Sequence, residues 1–158
     1  MTTLKHIERD IKQGSYGIFT SWRKSNSKLK NLEDLDALQN DLKDAGLRMA
    51  RLKGQWPECQ DPNIPYKDCP KELLVTTRER SLFVPGISKD LIIDLMAKYQ
   101  QNSVMYSGPE TGGQAIFIDN DGTEYPAGNF QTKQVGDFFS RIKGKPFTFK
   151  ITEWLFPT

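Results

Sequence analysis

Hydrophobic residues recur along the chain at two different spacings, and these spacings predict its helices and strands. A spacing of three to four positions, which places apolar residues on one face of a helix, occurs in four segments: 4–11, 32–42, 91–99 and 135–142. Short runs or alternations of apolar and β-branched residues, typical of strands, occur in six: 15–22, 47–56, 72–86, 103–107, 114–119 and 147–156. The predicted order of elements is therefore α-β-α-β-β-α-β-β-α-β.

Capping and turn residues predict where these elements begin and end. Asn31 is expected to cap the second helix and Ser88 the third, because such side chains accept hydrogen bonds from free amides of the first turn. Gly46 follows the second helix at the position where glycine commonly ends one. Four prolines in residues 56–70 predict an irregular loop, and the strand after it is expected to turn or bulge near Arg78–Arg80.

This order of elements predicts one α+β domain over residues 1–158. The second and third strands are joined without a helix, so the sheet should be mixed but mainly antiparallel, with the helices largely on one face. The first β-α-β-β-α-β portion matches the order of a ferredoxin-like sandwich. That match concerns topology and implies no function.

Composition and charge limit the classes of protein to consider. The 158 residues are 37% hydrophobic and 27% charged, as in a globular domain, and the net charge is only +2. A dedicated nucleic-acid binder usually carries a stronger basic excess, so nucleic acid stays open as a partner without being favoured. No apolar run reaches the roughly 18 residues that span a bilayer, so we expect no membrane partner.

The N-terminal segment and the two cysteines bear on the cellular compartment. Acidic residues among the first fourteen positions argue against a secretion or transit signal, so we expect a cytoplasmic protein. Cys59 and Cys69 lie in the proline-rich segment. Because cytoplasmic thiols stay reduced, two free thiols are the expectation and a disulfide is the alternative.

Glycine and acidic residues concentrate in the segment YSGPETGGQAIFIDNDGTEY, residues 106–125. Its glycines precede a strand and no lysine follows them, which excludes a phosphate-binding P-loop and a dinucleotide motif. Asp119, Asp121 and Glu124 are too closely spaced for an EF-hand calcium loop. Turns between strands, with Asp121–Gly122 in a tight turn, are the prediction, and a metal site at these carboxylates is the minor alternative.

Few residues are suited to catalysis. His6 is the only histidine, which excludes zinc sites of the H-E-x-x-H type and leaves Ser-His or Cys-His catalysis with a single candidate base. The two S-x-x-K strings, Ser21–Lys24 and Ser25–Lys28, lack the further motifs of serine acyl-enzymes. We therefore expect no catalytic residues, no metal and no cofactor.

Basic and aromatic residues between positions 22 and 58, together with Tyr106, form the candidate binding surface. Arginine and tryptophan side chains side by side can stack on bases or bind acidic partners. The alternative is that the tryptophans border the core and the cations are solvated, with Glu58 paired to an arginine. Arg51 and Lys53 are expected on one strand face, opposite Arg48. The candidate site residues are Trp22, Arg23, Lys24, Arg48, Arg51, Lys53, Trp56, Glu58 and Tyr106.

Several segments, taken in order, carry a family resemblance: GIFTSWR, a leucine helix ending in DLKDAGLRMARLKGQW, ELLV, LMAKYQQNSVMYS and GGQAIFID. Over about residues 15–120 this order resembles a domain-of-unknown-function family of small bacterial and phage proteins. The matching positions outside the core pattern are Gly54, Trp56, Glu58 and Tyr106. The chain departs from the family pattern in its longer proline-rich loop and at residues 98–101, KYQQ, where the family has a glycine.

The resemblance implies a compact α/β domain, often carried by phages or mobile elements, with no established catalytic residues. Such proteins commonly act by binding a host component, defence machinery included, and a phage-encoded copy would work in the host cytoplasm. A host protein is therefore the first expected partner.

Three functions follow as hypotheses. The first is a non-catalytic binding protein, encoded by a phage or mobile element, that captures or inhibits a host protein. The second is nucleotide or nucleic-acid binding through Arg48, Arg51 and Lys53 with Trp22 or Trp56. The third is a carboxylate- or metal-dependent enzyme. A second copy of the chain is a further alternative partner, through the C-terminal strand that ends in EWLFPT.

Overall fold

The structure is a computed structural model that describes residues 14–126, 137–142 and 145–155, with residues 52–57, 76–80, 137–142 and 145–155 described by backbone position. The helices are α1 (Lys28–Asp44) and α2 (Lys89–Lys98). Short 3-10 turns span Tyr66–Asp68, Lys71–Leu73 and Pro109–Thr111. The strands are β1 (Tyr16–Phe19), β2 (Met49–Cys59), β3 (Leu74–Pro85), β4 (Ser103–Ser107), β5 (Ile116–Asp119), β6 (Glu124–Pro126), β7 (Asp137–Ile142) and β8 (Lys145–Leu155).

The described strands form one sheet in the order β6-β5-β4-β1-β3-β2-β8-β7, and each neighbouring pair is antiparallel. At the centre of the sheet, the units β1-α1-β2 and β3-α2-β4 interleave. Strand β3 lies between the two strands of the first unit, and β1 lies between the two strands of the second. This is the split β-α-β arrangement of a ferredoxin-like sandwich. The predicted α+β class and the mainly antiparallel sheet are confirmed.

Both helices pack on one face of the sheet, because each links two parallel strands and such crossovers are right-handed. The core between the helices and the sheet is apolar, and burying each large side chain there stabilises the fold by roughly 1.5–3 kcal/mol. Its members include Leu35, Leu38, Leu42, Leu82, Val84, Ile92, Leu95, Met96 and Val104. Gly17 lies beneath α2, where a Cβ atom would stand 2.5 Å from Ile92 Cδ1. Glycine therefore permits the close approach of α2 to β1.

Helix α1 begins one turn earlier than the sequence predicts. Its N-cap is Ser27, whose Oγ accepts a hydrogen bond from the Lys30 amide at 3.1 Å, and not Asn31. Asn31 is buried within the first turn, where its side-chain amide bonds to the backbone of Arg23. The Asn31 side chain, which we expected to cap the helix, instead bonds to the backbone of the segment before the helix.

The remaining caps and turns form where the sequence predicts them. Ser88 Oγ accepts a hydrogen bond from the Leu91 amide at 3.1 Å at the start of α2. Gly46 follows α1 with a φ of 77°, which glycine adopts without strain. Strands β4, β5 and β6 are joined as consecutive antiparallel pairs, and the Gly122 amide closes the second turn by donating to the Asp119 carbonyl at 2.8 Å. Residues 106–125 therefore form strands and the turns between them.

Strand β2 extends three residues past its predicted end, into the proline-rich segment, whereas β3 lies within the predicted range 72–86. They pair in one unbroken register along Ala50–Cys59, so the expected turn or bulge near Arg78–Arg80 is wrong. The register shift lies between β2 and β8, just after Arg51. Pro57 is tolerated in β2 because the described pairing with β8 ends at Gln55, and proline is accommodated where a strand edge is unpaired.

The C-terminal part of the chain differs most from the prediction. Residues 137–142 form strand β7 and not the helix expected over 135–142. The spacing of Phe138, Phe139 and Ile142 suits a helix face, but pairing with β8 fixes this segment in an extended conformation. The strand expected at 147–156 is confirmed as β8, which lies between β2 and β7 and not at the end of the sheet. The predicted first helix and His6 lie outside the described residues.

Among the helices of the described ranges, none combines the length and apolar character needed to cross a membrane.

Candidate functional site

A buried guanidinium is the centre of the best-defined polar cluster, and Arg23 supplies it. The residue is 2% exposed. Its Nη1 donates to the Gln100 carbonyl at 2.8 Å and to Asn102 Oδ1 at 3.2 Å, and its Nη2 donates to the Cys59 carbonyl at 2.6 Å. These acceptors come from the end of β2 and from the segment before β4. Arg23 therefore joins three distant parts of the chain at one end of the sheet.

Two further predicted site residues, Lys24 and Glu58, belong to the same cluster. The Glu58 carboxylate is buried, lies 3.9 Å from Arg23 Nη1 and accepts a hydrogen bond from the Lys24 amide at 2.8 Å. The expected pairing of Glu58 with an arginine is thus present, and the partner is Arg23. The Lys24 side chain is exposed, whereas its backbone is part of the cluster. Both groups of this ion pair are buried, so neither Arg23 nor Glu58 is accessible to a ligand.

Cys59 and Cys69 form a disulfide, with 5.8 Å between their Cα atoms, so the expectation of free thiols is wrong. The loop over residues 60–73 returns towards the end of β2, and the 3-10 turn Tyr66–Asp68 brings Cys69 beside Cys59. Sequence spacing could not show this approach. Disulfides are typical of oxidising compartments, so this bond does not support the expected cytoplasmic location. That location stays a prediction.

Two asparagine side chains hold the first half of the 60–73 loop. Asn102 Nδ2 donates to the carbonyls of Asp61 and Ile64 at 2.9 Å each, while its Oδ1 accepts from the Cys59 amide at 3.1 Å. Asn120 Nδ2 donates to the Pro62 carbonyl at 3.0 Å. These amides satisfy backbone groups that would otherwise be buried without partners.

The second half of the loop covers a buried carboxylate, Asp119, which is 0% exposed. Its Oδ2 accepts from the Lys67 amide at 2.9 Å, and its Oδ1 accepts from the Tyr125 hydroxyl at 2.7 Å. Burial raises the pKa of Asp119, and the hydrogen bonds from Lys67 and Tyr125 only partly oppose this effect. Burial, followed by the nearby Asp119 charge, raises the pKa of Tyr66 to about 12.

The other two carboxylates proposed as metal ligands lie in surface ion pairs. Asp121 pairs with the Lys67 ammonium, which lowers the pKa of Asp121 to about 2, and Glu124 pairs with Lys89. Within the part of the chain that the structure describes, no group of three or more His, Cys, Asp or Glu side chains could hold a metal ion. Asp119, Asp121 and Glu124 thus have partners of their own.

Tyr106 and Trp22 lie at or near the core. Tyr106 is 1% exposed and donates a hydrogen bond to Glu110 Oε1 at 2.9 Å. Burial and this hydrogen bond raise the pKa of Tyr106 to about 12. Trp22 is half-buried, and its carbonyl accepts a hydrogen bond from Gln101 at 3.3 Å. Tyr106 is therefore part of the core. Trp22 borders it, as the alternative interpretation of the tryptophans expects.

Arg48 and Arg51 lie at the start of β2, where the helix layer ends. Arg48 precedes the strand and is half-buried. Arg51 donates to Gln39 Oε1 of α1 through Nη2 at 3.0 Å. This contact places Arg51 on the same side of the sheet as the helices. Lys53, two positions further along β2, occupies the same face, as the sequence predicts.

Three basic residues stand directly opposite one another across three adjacent strands. Lys53 of β2 is paired with Arg80 of β3 on one side and with Lys150 of β8 on the other. Neighbouring strands lie about 4.8 Å apart, so the three backbone positions span about 10 Å. Like charges at directly opposed positions destabilise a sheet by roughly 0.2–1 kcal/mol per pair. The backbone register therefore aligns three basic residues in one row.

Further basic positions surround this row on the same face. Gln55, two residues beyond Lys53, is paired with Arg78, and the alternation along β7 adds Arg141. Asp137 opposite Lys150 and Glu153 opposite Arg51 are the acidic positions paired into this face. We define the cationic face as the surface that carries the positions of Arg51, Lys53, Arg78, Arg80, Arg141 and Lys150.

Trp56 does not belong to the cationic face. It is three positions from Lys53 in a strand of unbroken register with β3, so the two residues lie on opposite faces of the sheet. Trp56 shares its face with Gly54, which is paired with Phe149, and Phe149 with Phe138. The structure therefore separates the predicted tryptophan and lysine set into an aromatic face and a cationic face.

Sequence reasoning missed the residues that complete these sites, for two reasons. Asn102 and Asn120 have no local signature, because their function depends on a loop about forty to sixty residues away in the chain. Arg80 and Lys150 join Lys53 only through strand pairing. Predicting this row from the sequence would have required a systematic enumeration of possible strand registers.

Comparison with protein-family models, with curated proteins and with solved structures finds no match to this chain. The resemblance to small bacterial and phage proteins thus stays a prediction. Any function has to be inferred from the chemistry and placement of the residues.

Proposed function

We propose that this chain is a non-catalytic binding protein whose partner is a protein with an acidic surface, held on the cationic face. On the family resemblance, that partner is a host protein captured or inhibited by a phage or mobile-element product. The observation that supports the proposal is the row formed by Lys53, Arg80 and Lys150. The chain as a whole carries a net charge of +2, whereas this face combines six basic positions with two acidic ones.

The proposed attraction between the cationic face and its partner is electrostatic. Placing Lys53 between Arg80 and Lys150 opposes folding, and an anionic partner would relieve that repulsion on binding. Complementary charge also accelerates encounter and selects against basic partners. A surface that destabilises the free chain and is stabilised by an acidic ligand is expected of a binding protein.

The distribution of aromatic residues favours a protein partner over nucleic acid. Binders of single strands combine cations with aromatic side chains on which the bases stack. Trp56 lies on the opposite face from Lys53, and Trp22 is half-buried near the core. The tryptophans of the nucleic-acid hypothesis therefore lie off the cationic face, to which β7 contributes one aromatic position, Phe139, opposite Thr148. The charges of this face alone suit phosphate groups.

Binding to two defined polyanions tests the proposal. Fluorescence anisotropy would measure the affinity for labelled poly-L-glutamate and for a labelled single-stranded oligonucleotide, at low and high salt. We expect poly-L-glutamate to bind, and Lys53→Glu to weaken that binding about tenfold or more by reversing the central charge. Lys28→Glu is the matched control, because Lys28 is exposed at the start of α1 and lies outside the sheet.

Three results would contradict the proposal in different ways. Equal losses in Lys53→Glu and Lys28→Glu would show an effect of net charge alone. Tighter binding of the oligonucleotide than of poly-L-glutamate would replace the protein partner with nucleic acid. Binding of neither polymer by the wild-type chain would remove the cationic face as a ligand site. After a positive result, nuclease-treated lysate captured on wild-type and Lys53→Glu chains in parallel would identify the partner.

A further inference from the structure

The two halves of the 60–73 loop are attached to the rest of the fold by different means. The first half is held by the side-chain amides of Asn102 and Asn120, which have no dependence on pH or redox state in the neutral range. The second half, residues 66–70, is held by the disulfide at Cys69 and by Asp119, whose carboxyl group accepts a hydrogen bond from the Lys67 amide. The Lys67–Asp121 ion pair and the burial of the Tyr66 side chain also anchor it. Of these anchors, the disulfide responds to redox state and Asp119 has a raised pKa.

We propose that residues 66–70 form a redox-controlled cover over Asp119, held closed jointly by the Cys59–Cys69 disulfide and by the Asp119 carboxyl group. The cover opens when a dithiol reductant of the thioredoxin class cleaves the disulfide at a pH where Asp119 ionises. The reductant supplies two electrons and two protons, so that the S–S bond breaks, Cys59 and Cys69 become thiols, and the reductant leaves as a disulfide. This proposal is independent of the cationic face.

The disulfide contributes to closure by restricting the open loop. Its cysteines are separated by 10 residues in the sequence, and a cross-link of that length reduces the conformational freedom of the opened chain about 100-fold. Cys59 is held independently, since its carbonyl accepts from Arg23 and its amide donates to Asn102. Reduction therefore releases the Cys69 side and leaves the end of β2 in place. Cys69 is 6% exposed and Cys59 is fully buried, so Cys69 is the more accessible of the two cysteines.

The Asp119 carboxyl group supplies the pH dependence. The groups that face it are Lys67 and Tyr66 from the cover, Tyr125 from β6 and Ser103 from β4. Burial under the cover raises the pKa of Asp119, so the closed form binds its proton more tightly than the open form does. This contribution to closure is complete below the usual aspartate value of about 4 and is lost as the pH rises through the raised pKa. Opening is therefore favoured at neutral pH and opposed by acid.

Amide hydrogen exchange measured by NMR tests the proposal at single residues. The Lys67 amide, which bonds to Asp119, reports on the cover, and the Cys59 amide, which bonds to Asn102, is the internal control. We compare oxidised and reduced protein at about pH 4, close to the usual aspartate pKa, and at about pH 7.5, after correction for intrinsic exchange. On reduction at the higher pH, Lys67 exchange should accelerate by up to about 100-fold, and at the lower pH by less, while Cys59 exchange changes little.

Two variants separate the roles of the groups. Asp119→Asn removes the titration and should abolish the difference between the two pH values, whereas Asp121→Asn, at an exposed carboxylate that pairs with the Lys67 side chain, should keep it. Equal acceleration at Lys67 and Cys59 would mean general destabilisation and overturn the cover, as would unchanged Lys67 exchange on reduction. If Asp119→Asn fails to fold, the wild-type comparison at two pH values decides the question.

Discussion

At the scale of single residues, burial decides what each charged group does. Arg23 and Glu58 appear in the sequence as members of a charged segment suited to binding, yet both are buried and paired in one cluster. The sequence does predict that Glu58 pairs with an arginine. It does not identify which one, because the acceptors around Arg23 come from segments 36 to 79 residues away.

Replacing Arg23 with methionine tests this structural role. Arg23→Met keeps the approximate volume but removes the donors to Gln100, Asn102 and Cys59 and leaves Glu58 as a buried charge without its cation. We expect the free energy of unfolding in urea to fall by about 3–5 kcal/mol. Lys24→Met is the neighbouring control with an exposed side chain and should change it by less than about 0.5 kcal/mol. Similar small losses in both variants would contradict a structural role for the Arg23 cluster.

At the scale of elements, periodicity and caps predict helices better than they separate short helices from strands. Helices α1 and α2 follow from leucine and isoleucine spacing together with glycine or serine at their ends. The short segment 137–142 is ambiguous, because two adjacent phenylalanines suit either element. Pairing with β8 decides in favour of a strand. Long periodic segments are therefore predictable, and short ones depend on their neighbours.

The contact between α2 and β1 leads to a prediction about a pair of residues. Gly17→Ala would bring its Cβ to 2.5 Å from Ile92 Cδ1, and we expect it to lower the free energy of unfolding by about 1–2 kcal/mol. Ile92→Val removes that methyl group, so the double variant should lose at least about 0.5 kcal/mol less than the two single variants combined. Gly14→Ala is the control, since no heavy atom lies within 4 Å of its added Cβ. Strict additivity in urea unfolding would show that the helix and strand are not in contact here.

At the scale of the whole molecule, strand order creates surfaces that no single segment contains. Lys53, Arg80 and Lys150 are separated by about 27 and 70 positions in the sequence and become neighbours through the pairing of β2 with β3 and β8. The same pairing places Trp56 on the other face. The candidate residues predicted from the sequence are therefore divided between the two faces of the sheet, with Lys53 on one and Trp56 on the other.

The cationic row predicts an unusual relation between stability and binding. Lys53→Glu replaces two like-charged pairs with two opposite-charged ones, so it should raise the free energy of unfolding by about 0.5–1 kcal/mol at low salt. The neutral variant Lys53→Gln should give a smaller increase, and both gains should shrink at high salt because salt screens the repulsion between like charges. Urea unfolding at two ionic strengths measures this effect. A loss of stability in Lys53→Glu at low salt would contradict the repulsion that the register implies.

Local sequence patterns are sufficient to predict the α+β class, the ferredoxin-like order of the first six strands and helices, the helix caps at Ser88 and Gly46, and the turns of residues 106–125. Each of these depends on local periodicity or on the conformational preference of one residue type. The disulfide, the partners of Arg23 and Asp119, the strand identity of β7 and the row through Lys53 become apparent in the folded chain alone. These depend on contacts between segments far apart in the chain, for which local patterns carry no information.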